Sequence, residues 1–593
     1  MTNCDALMQD LLNTYGIPGG QLALSRQGKL VYDRAFGHAD LSGNEVTQPH
    51  HLFRVASVSK PVTGVAMMKL LESGQVQLSD HVFGPGGLLA SHPYLSTVQY
   101  TDVRLNDITI DHLLHHTAGW DRTLDCFPDP TTPYAWQMPG CDPISAPLHV
   151  TQVLGESNPV SKHALVRFLM EHGLDHDPGS TFAYSNIGYL VLGEVIATVS
   201  GMSYEDYVRA EVLDPLGICD AHIGRNLLAE KLEREAEYEG EGYLAPSCYG
   251  TGSNVPWEYG GWNLEAMDAH GGWVFSAREL VKLLVAVDGF STKPDILNAA
   301  TLATMAADNA VSQGYACGWQ TNSADNWWHT GALDGTASMI VRSWNGYTWA
   351  LLLNKRLTNG QANAFWADVD AMGWNCIGGT SSWPSHDLMA MPLSNASALS
   401  AVPVGVTGAT IQCVGGDGDG RIMVVRAGNA PQRFPLDGTN YNPNSAWSLG
   451  DDLGDGNYVV SAGSATGVAV TGLAAGGNYV VSAYEYTSNA GTGQHTLYKL
   501  CGRSDVQLSM PVDVAEFSSD AGMRVAVRDG QLVLLGASPQ PGQTLQLIDA
   551  MGRTVRSVKV AGSMALHGVA SGPYLVVLLH NEVTTGIGRV VVP

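Results

Sequence analysis

Long apolar runs and clusters of basic residues are both missing from this sequence. No stretch reaches the roughly 18 unbroken apolar residues that a membrane-spanning helix requires, so we expect no membrane insertion. Lysine and arginine number 31 against 56 aspartate and glutamate residues, which gives a formal net charge of −25. Because phosphate contacts need clustered basic side chains, this charge balance argues against a nucleic-acid partner.

Paired cysteine motifs are missing as well. The nine cysteines are scattered, with no CxxC pair and no zinc-ligand spacing. Cys126 and Cys141 bracket a proline-rich loop, and Cys413 and Cys501 bracket a segment of short strands. Each pair would form a disulfide in an exported protein and would otherwise be two buried thiols, so the sequence leaves both alternatives open.

The 593 residues are too many for one hydrophobic core, so two to four domains are expected. Residues 1–375 show both helical and strand periodicity. The predicted elements are a hairpin over 21–32, helices over 61–75 and 187–200, and strands over 327–330, 337–342 and 348–354. Antiparallel strands drawn from both ends of a segment and flanked by helices predict an α/β domain with an inserted helical lobe. No role is predicted for the long insert at 121–159.

After residue 375 the helical pattern stops. Residues 376–400 are rich in glycine, serine and proline and are predicted to form a linker. Residues 401–505 and 506–593 each consist of short β-type runs separated by glycine and aspartate turns. These patterns predict two all-β sandwich domains behind the α/β domain.

The strongest chemical signal is a serine and a lysine three residues apart, within Phe-Arg-Val-Ala-Ser-Val-Ser-Lys-Pro at 53–61. On a helix, Ser57 and Lys60 share one face within hydrogen-bonding range. A serine hydroxyl is a weak nucleophile until a base takes its proton, and a partly desolvated lysine can be that base. Pro61 suits the first turn of a helix, which places Ser57 near the positive end of the helix. This spacing alone is common by chance, so its context decides.

Two further motifs supply that context, and there is no Gly-x-Ser-x-Gly elbow of an α/β-hydrolase. The motifs are Tyr184-x-Asn186 at the start of an apolar helix and His329-Thr330-Gly331 on a strand. With the Ser-x-x-Lys motif and in this order, they resemble the active site of class C β-lactamases, D-alanyl-D-alanine peptidases and family VIII carboxylesterases. The resemblance covers most of residues 6–370.

The resemblance implies a role for each matched position. Ser57 would attack the substrate carbonyl and form an acyl-enzyme, while Lys60 and Tyr184 would share the proton transfers. The backbone N–H groups of Ser57 and Ala332 would form the oxyanion hole. The residues expected to bind the substrate are Asn186, His329, Thr330, Gly331 and Trp328.

Two of these positions bear on the substrate. His329 stands where β-lactamases usually carry lysine, which weighs against lactam hydrolysis, whereas peptidases and esterases of the family often have histidine there. Several aromatic residues are either core residues or an aromatic wall of the site, and Trp328 is the one predicted to form the wall. The full set is Trp257, Tyr259, Trp262, Trp327 and Trp328.

Two metal-site patterns are weaker than their structural alternatives. His112, His115 and His116 share one helix face and could ligate a metal, but no partner cluster stands out elsewhere. Asp417-Gly418-Asp419-Gly420 lacks the downstream glutamate of an EF-hand and is better explained as a turn. We therefore expect no metal and no cofactor.

The C-terminal segments, residues 406–593, indicate where in or outside the cell the protein is located. Residues 406–500 resemble fibronectin type III-like modules, and residues 506–593 resemble a type IX secretion sorting domain, which implies the secretion machinery as a partner and a secreted or cell-surface protein. The first residues show no signal peptide, which leaves open cytoplasmic residence or a chain that begins after a cleavage site.

The predicted function is that of a secreted SxxK serine hydrolase, a carboxylesterase or a D-stereospecific peptidase or amidase. Its substrate would be a small ester, amide or peptide. A β-lactamase, a non-catalytic penicillin-binding or sensor module, and an adhesin whose β domains are the functional part remain as alternatives. Retention of Ser57, Lys60 and Tyr184 together favours the enzyme.

Overall fold

The described residues up to Gly378 contain both helices and strands, whereas those after Gly378 contain strands and no helix. The chain forms two units, Met1–Ala390 and Met391–Pro593. The computed structural model describes residues 3–124, 142–488, 496–511, 524–528, 530–535, 540, 542–559, 563–581 and 583–592.

The first unit contains these helices: α1 (Asn3–Tyr15), α2 (Ser59–Glu72), α3 (Ile110–Leu114), α4 (Pro147–Leu154), α5 (Lys162–His172), α6 (Asn186–Ser200), α7 (Tyr204–Val208), α8 (Asp268–Gly271), α9 (Ala277–Val285), α10 (Ala299–Ala306) and α11 (Ala362–Gly378). Its strands are β1 (Gly19–Arg26), β2 (Lys29–Gly37), β3 (Phe53–Arg54), β4 (His222–Ile223), β5 (Leu244–Pro246), β6 (Asn254–Pro256), β7 (Trp273–Phe275), β8 (Gln320–Thr321), β9 (Trp327–Leu333), β10 (Thr336–Arg342) and β11 (Tyr347–Leu353).

A six-stranded antiparallel sheet in the order β2-β1-β11-β10-β9-β8 forms the centre of this unit. Helices α1 and α11 pack on one face around one apolar cluster, and the helical lobe with α9 packs on the other around a larger cluster. Strand β10 is buried along its whole length because both faces of the sheet are covered. The predicted α/β class, with strands from both ends of the segment, is confirmed.

Helices α2 and α6 form the centre of the helical lobe and are buried on nearly all sides. The backbone packs closely here, since a Cβ on Gly64 of α2 would lie under 3.0 Å from the carbonyl oxygen of Cys317. Within the described ranges, no single helix is long and apolar enough to cross a membrane. One bent pair, Asn186–Ser200 with Tyr204–Leu216, passes that test by length and composition.

The described cysteines include one disulfide that the sequence did not suggest. A disulfide joins Cys4 of α1 to Cys376 of α11, two residues that sequence spacing does not connect. Cys413 is a buried free thiol and forms no disulfide with Cys501, so for Cys413 the second of the two alternatives left open by the sequence holds. It packs as a small apolar side chain in the core of a β-sandwich. The predicted Cys126–Cys141 pair lies outside the described residues.

The second unit contains the strands β12 (Ser397–Val404), β13 (Gly408–Val414), β14 (Gly420–Ala427), β15 (Tyr458–Gly463), β16 (Gly467–Val470), β17 (Asn478–Ser488), β18 (Thr496–Tyr498), β19 (Ser504–Ser509), β20 (Arg524–Arg528), β21 (Gln531–Leu535), β22 (Gln543–Ile548), β23 (Thr554–Lys559), β24 (Ser563–Ala565), β25 (Gly572–His580) and β26 (Val583–Val592). Strands β12 to β19 form two sheets, and β20 to β26 form two more around a separate apolar cluster. The all-β class is confirmed.

The predicted boundaries differ from the elements by a few residues. Helix α11 extends to Gly378, past the predicted domain end at 375, and β12 begins at Ser397, inside the predicted linker. Strand β19 pairs with β17, so the predicted boundary at 505/506 divides a strand of the first β-sandwich. In the loop at 417–420, which was weighed as a calcium site, the Asp417 carboxylate accepts the backbone N–H groups of Leu393 and Ser394.

Candidate active site

Ser57 lies on a single 3₁₀ turn, Ala56–Val58, directly before α2. The preceding Ala56 has a φ of 48°, a left-handed conformation that costs a residue with a Cβ about 1–3 kcal/mol. The turn places Ser57 at the N-terminal end of α2, where the helix dipole favours negative charge. The position agrees with the expectation drawn from Pro61.

Lys60 is fully buried one turn further along. Its Nζ lies 3.2 Å from the Ser57 Oγ, 2.8 Å from the Asn186 Oδ1 and 3.0 Å from the His270 carbonyl oxygen. Burial lowers the pKa of Lys60 well below its usual value, the charge of Arg122 lowers it further, and Asp142 opposes the shift. A neutral amine has two N–H groups and one lone pair. Because the amide and carbonyl oxygens only accept, the lone pair is left for the Ser57 hydroxyl proton.

Tyr184 lies just before α6, which begins where the Ser185 hydroxyl accepts the Gly188 N–H. Tyr184 lines the same cleft as Ser57, and its ring centroid is 4.8 Å from the Lys60 Nζ. Burial raises the pKa of Tyr184, so the phenol is protonated at neutral pH and can donate a proton. The turn that holds it is fixed by the Ser185 N–H, which donates to the His116 Nδ1 at 3.2 Å.

Two hydrogen bonds fix the orientation of the His329 ring. Its Nδ1 donates to the Thr330 carbonyl oxygen at 2.6 Å, and its Nε2 accepts from the Tyr315 hydroxyl at 3.1 Å. Burial and then the charge of Lys60 lower the pKa of His329 to about 3. At neutral pH, the ring therefore contributes no positive charge to the site.

Gly331 allows β9 to pack directly against the segment before Ser57. A Cβ on Gly331 would lie under 3.0 Å from both the Val55 carbonyl oxygen and the Ser338 Oγ. This close approach brings the β9 backbone to the 3₁₀ turn, and both Ser57 and Ala332 line the same cleft. The backbone groups predicted to form the oxyanion hole are thus on one wall.

The cleft has a volume of about 990 Å³. The predicted residues that line it are Ser57, Tyr184, Asn186, His329, Thr330 and Ala332. Trp328 is not among the lining residues. Successive strand side chains alternate, so Trp328 packs on the sheet face that carries α1 and α11, opposite to Trp327.

The aromatic wall comes instead from Trp257 and Trp262. Both line the cleft, and their rings stack with centroids 4.9 Å apart. The sequence offered them only as members of a larger aromatic set. The alternation of side chains along a strand is the signal that removes Trp328 from that set.

Four groups at the site were missed, although one of them left a trace in the sequence. The His270 carbonyl is a backbone group, and Arg122 and Asp142 belong to the insert at 121–159. His116 was noticed as part of a histidine row, but it turns toward the site with its ring centroid 4.3 Å from that of Tyr184. Its φ of 54° rotates it away from the others of the row.

The histidine row does not converge on one point. The His112 Nδ1 accepts the Thr109 N–H in a capping box, and the His115 Nδ1 bonds to the Asp111 carbonyl oxygen. These hydrogen bonds favour the structural alternative to a metal site for His112 and His115.

A second cluster, His92, His163 and Glu194, has donor atoms within 4.8 Å of one another. The His92 Nδ1 accepts the N–H groups of Tyr94 and Leu95 at 3.1 and 2.9 Å, so the proton of that ring is on Nε2. This N–H donates to the Glu194 carboxylate at 2.9 Å. A metal would need that Nε2 lone pair, so these hydrogen bonds favour a buried polar network.

A family model described as Beta-lactamase matches residues 4–371. Penicillin-binding protein 4* of Bacillus subtilis (strain 168) is 28% identical over 250 residues, which cover 40% of this chain and 47% of that protein. Protein flp of Staphylococcus aureus (strain MRSA252) is 24% identical over 343 residues, which cover 57% of this chain and 59% of that protein. The chain spans about half the length of these curated relatives.

Among solved structures, a D-amino acid amidase from Ochrobactrum anthropi SV3 is 22% identical, with a TM-score of 0.47. The match covers 64% of this chain and all of that one. The family match covers more than half of the chain and contains every motif described above. This chain therefore belongs to the Beta-lactamase family.

Proposed function

We propose that this protein is a serine hydrolase that works through an acyl-enzyme on Ser57, with Lys60 as the general base. The observation that carries the proposal is the surroundings of the Lys60 Nζ. Two fixed acceptors, Asn186 Oδ1 and His270 O, take its N–H groups, and the Ser57 Oγ lies at the remaining position. Such a buried amine is suited to remove the serine proton.

In the proposed reaction, the Ser57 Oγ bonds to the substrate carbonyl carbon while its proton passes to the Lys60 Nζ. The N–H groups of Ser57 and Ala332 stabilise the negative oxygen of the tetrahedral intermediate. The intermediate releases the leaving group, which takes a proton from Tyr184, and Tyr184 recovers a proton from Lys60. Water then attacks the acyl-enzyme carbonyl carbon while its proton passes to Lys60. The Ser57 Oγ leaves with a proton from Tyr184, which restores Ser57.

For the substrate, we propose small esters or D-amino-acid amides and peptides. The neutral His329 lacks the fixed positive charge that would help to bind the carboxylate of a β-lactam. The stacked Trp257 and Trp262 offer apolar contact to an acyl or aryl group. Both features suit a substrate whose reacting part is uncharged.

We also propose that the protein is exported to the cell surface or the medium, with residues 506–593 as a sorting domain for the secretion machinery. The Cys4–Cys376 disulfide supports an oxidising compartment. Deletion of residues 512–593, which leaves β19 intact, should leave the protein inside the producing cells. Unchanged export of the deleted chain would contradict the sorting role.

Turnover of p-nitrophenyl butyrate by the purified full chain tests the catalytic proposal. We expect multiple turnovers per chain from the wild type and none above background from Ser57→Ala. A single equivalent of product with no further turnover would indicate an acyl-binding sensor. Equal rates for the wild type and Ser57→Ala would overturn the proposal.

A further inference from the structure

Arg122 and Asp142 reach the site from the two sides of residues 125–141. The guanidinium carbon of Arg122 lies 4.6 Å from the centroid of the Tyr184 ring, and its Nη1 lies 3.9 Å from the Asp142 Oδ2. Asp142 is buried, and its Oδ2 accepts a 2.7 Å hydrogen bond from the Asn186 Nδ2. Each of the two charged residues thus contacts a residue that in turn contacts Lys60.

The contact with Asp142 determines which way the amide of Asn186 points. A carboxylate only accepts hydrogen bonds, so the amide nitrogen of Asn186 must face Asp142. The amide oxygen then faces Lys60 and takes one of its N–H groups. With the reverse orientation, the amide nitrogen would donate to the Lys60 lone pair, which would then no longer be directed at Ser57.

The charges of the pair act on Lys60 in opposite directions. The positive charge of Arg122 lowers the pKa of Lys60 in addition to the larger effect of burial, and the negative charge of Asp142 raises it. Arg122 also lowers the pKa of Tyr184 against the effect of burial. The two charges therefore act in opposite directions on the proposed base.

The remaining titratable groups around Lys60 stay uncharged near neutral pH. Burial lowers the pKa of each histidine and raises the pKa of each tyrosine. These groups are His116, His270, His329, Tyr184 and Tyr189. In the described part of the chain, Arg122 and Asp142 are thus the charged side chains that act on Lys60.

We propose that Arg122 and Asp142 are positioning residues for Lys60: Asp142 orients Asn186 so that the amine lone pair faces Ser57, and Arg122 pairs with the Asp142 carboxylate. This inference rests on the proposed function, since it needs Lys60 to be the base. It gives the insert at 121–159 a role in the chemistry.

The test is the pH dependence of kcat/KM for p-nitrophenyl butyrate, whose acid limb reports the base of the free enzyme. Arg122→Gln removes a positive charge that disfavours the ammonium form of Lys60. The midpoint of the acid limb should therefore move to higher pH by about 0.5 to 1 pH unit. Asp142→Asn removes a negative charge that favours the ammonium form of Lys60. The midpoint of the acid limb should therefore move to lower pH, also by about 0.5 to 1 pH unit. The optimum rate of Asp142→Asn should also fall roughly 10- to 100-fold because Asn186 is no longer held in one orientation.

Two further variants serve as controls. Arg122→Lys keeps the charge and should return the limb close to its wild-type position. Arg225→Gln breaks an exposed pair with Glu265 and should leave the limb unmoved. Thermal melting identifies a variant that does not fold, and if Asp142→Asn is lost in this way, the comparison of Arg122→Gln with Arg122→Lys decides.

Shifts of the acid limb in opposite directions in Arg122→Gln and Asp142→Asn would support the inference. A loss of packing alone would not move the acid limb to higher pH in one variant and to lower pH in the other. Shifts in the same direction, or no shift, in folded and active variants would overturn it. That outcome differs from failure of the proposed function, in which Ser57→Ala would hydrolyse the ester at the wild-type rate.

Discussion

Replacement of Gly331 by alanine should inactivate the protein without unfolding it. The added Cβ would lie under 3.0 Å from the Val55 carbonyl oxygen and from the Ser338 Oγ, a separation that real Cβ atoms essentially never show. Ser338 cannot move aside freely, because its hydroxyl is buried and donates a 2.7 Å hydrogen bond to the same Val55 oxygen. Relief therefore requires β9 to move away from the turn that carries Ser57.

The expected size of the effect follows from that movement. Restoring an ordinary contact separates β9 from the turn by roughly 1 Å, and a displacement of this size at a catalytic site can lower the rate about 10²-fold. Overpacking of this kind costs about 1–3 kcal/mol of folding free energy. The unit should survive this loss, since its sheet is covered by two extensive apolar clusters.

The assay is kcat/KM for p-nitrophenyl butyrate together with the melting temperature, for Gly331→Ala and for a matched control. Gly360→Ala is that control, because nothing lies within 4 Å of the Cβ it adds. We expect the control to keep wild-type activity. If Gly331→Ala keeps more than half of the wild-type kcat/KM, the reasoning that the approach of β9 builds the site is refuted.

Three other predictions concern the same site. Lys60→Ala and Tyr184→Phe should each lower kcat by about 10²- to 10⁴-fold through lost acid–base catalysis, and near wild-type rates in either variant would contradict the assigned roles. A chain that ends at Ala390 should keep most of its activity on a small ester, because every residue of the site belongs to the first unit; a folded but inactive truncation would show that the β domains contribute. Since the pKa of His329 is lowered to about 3, aryl esters or D-peptides should give a higher kcat/KM than nitrocefin, and a tenfold advantage for nitrocefin would show that His329 does not decide the substrate.

The local part of the site could be predicted from the sequence. Ser57 and Lys60 are three residues apart, so helical geometry alone brings their side chains together. The strand that carries His329 and the helix that begins at Asn186 show plain periodicities. The resemblance of the motifs supplied the one step that periodicity cannot, namely that these separate elements meet in one cleft.

What was missed depends on contacts between distant parts of the chain. The hydrogen bond from Asn186 to Asp142 spans 44 residues, and no pattern in the insert marks Asp142 as a partner. The His270 contribution is a backbone oxygen, which has no side-chain signature. The Cys4–Cys376 disulfide joins two helices that are 372 residues apart in the chain. Spacing rules do not cover such distances.

Mapping of a covalent adduct tests the central claim, that Ser57 is the nucleophile, most directly. The full chain is treated with a fluorophosphonate, and its mass and its peptides are then measured by mass spectrometry. We predict one adduct per chain, located on the peptide that contains Ser57, and no adduct on Ser57→Ala. An adduct on another residue, or equal labelling of Ser57→Ala, would contradict the account.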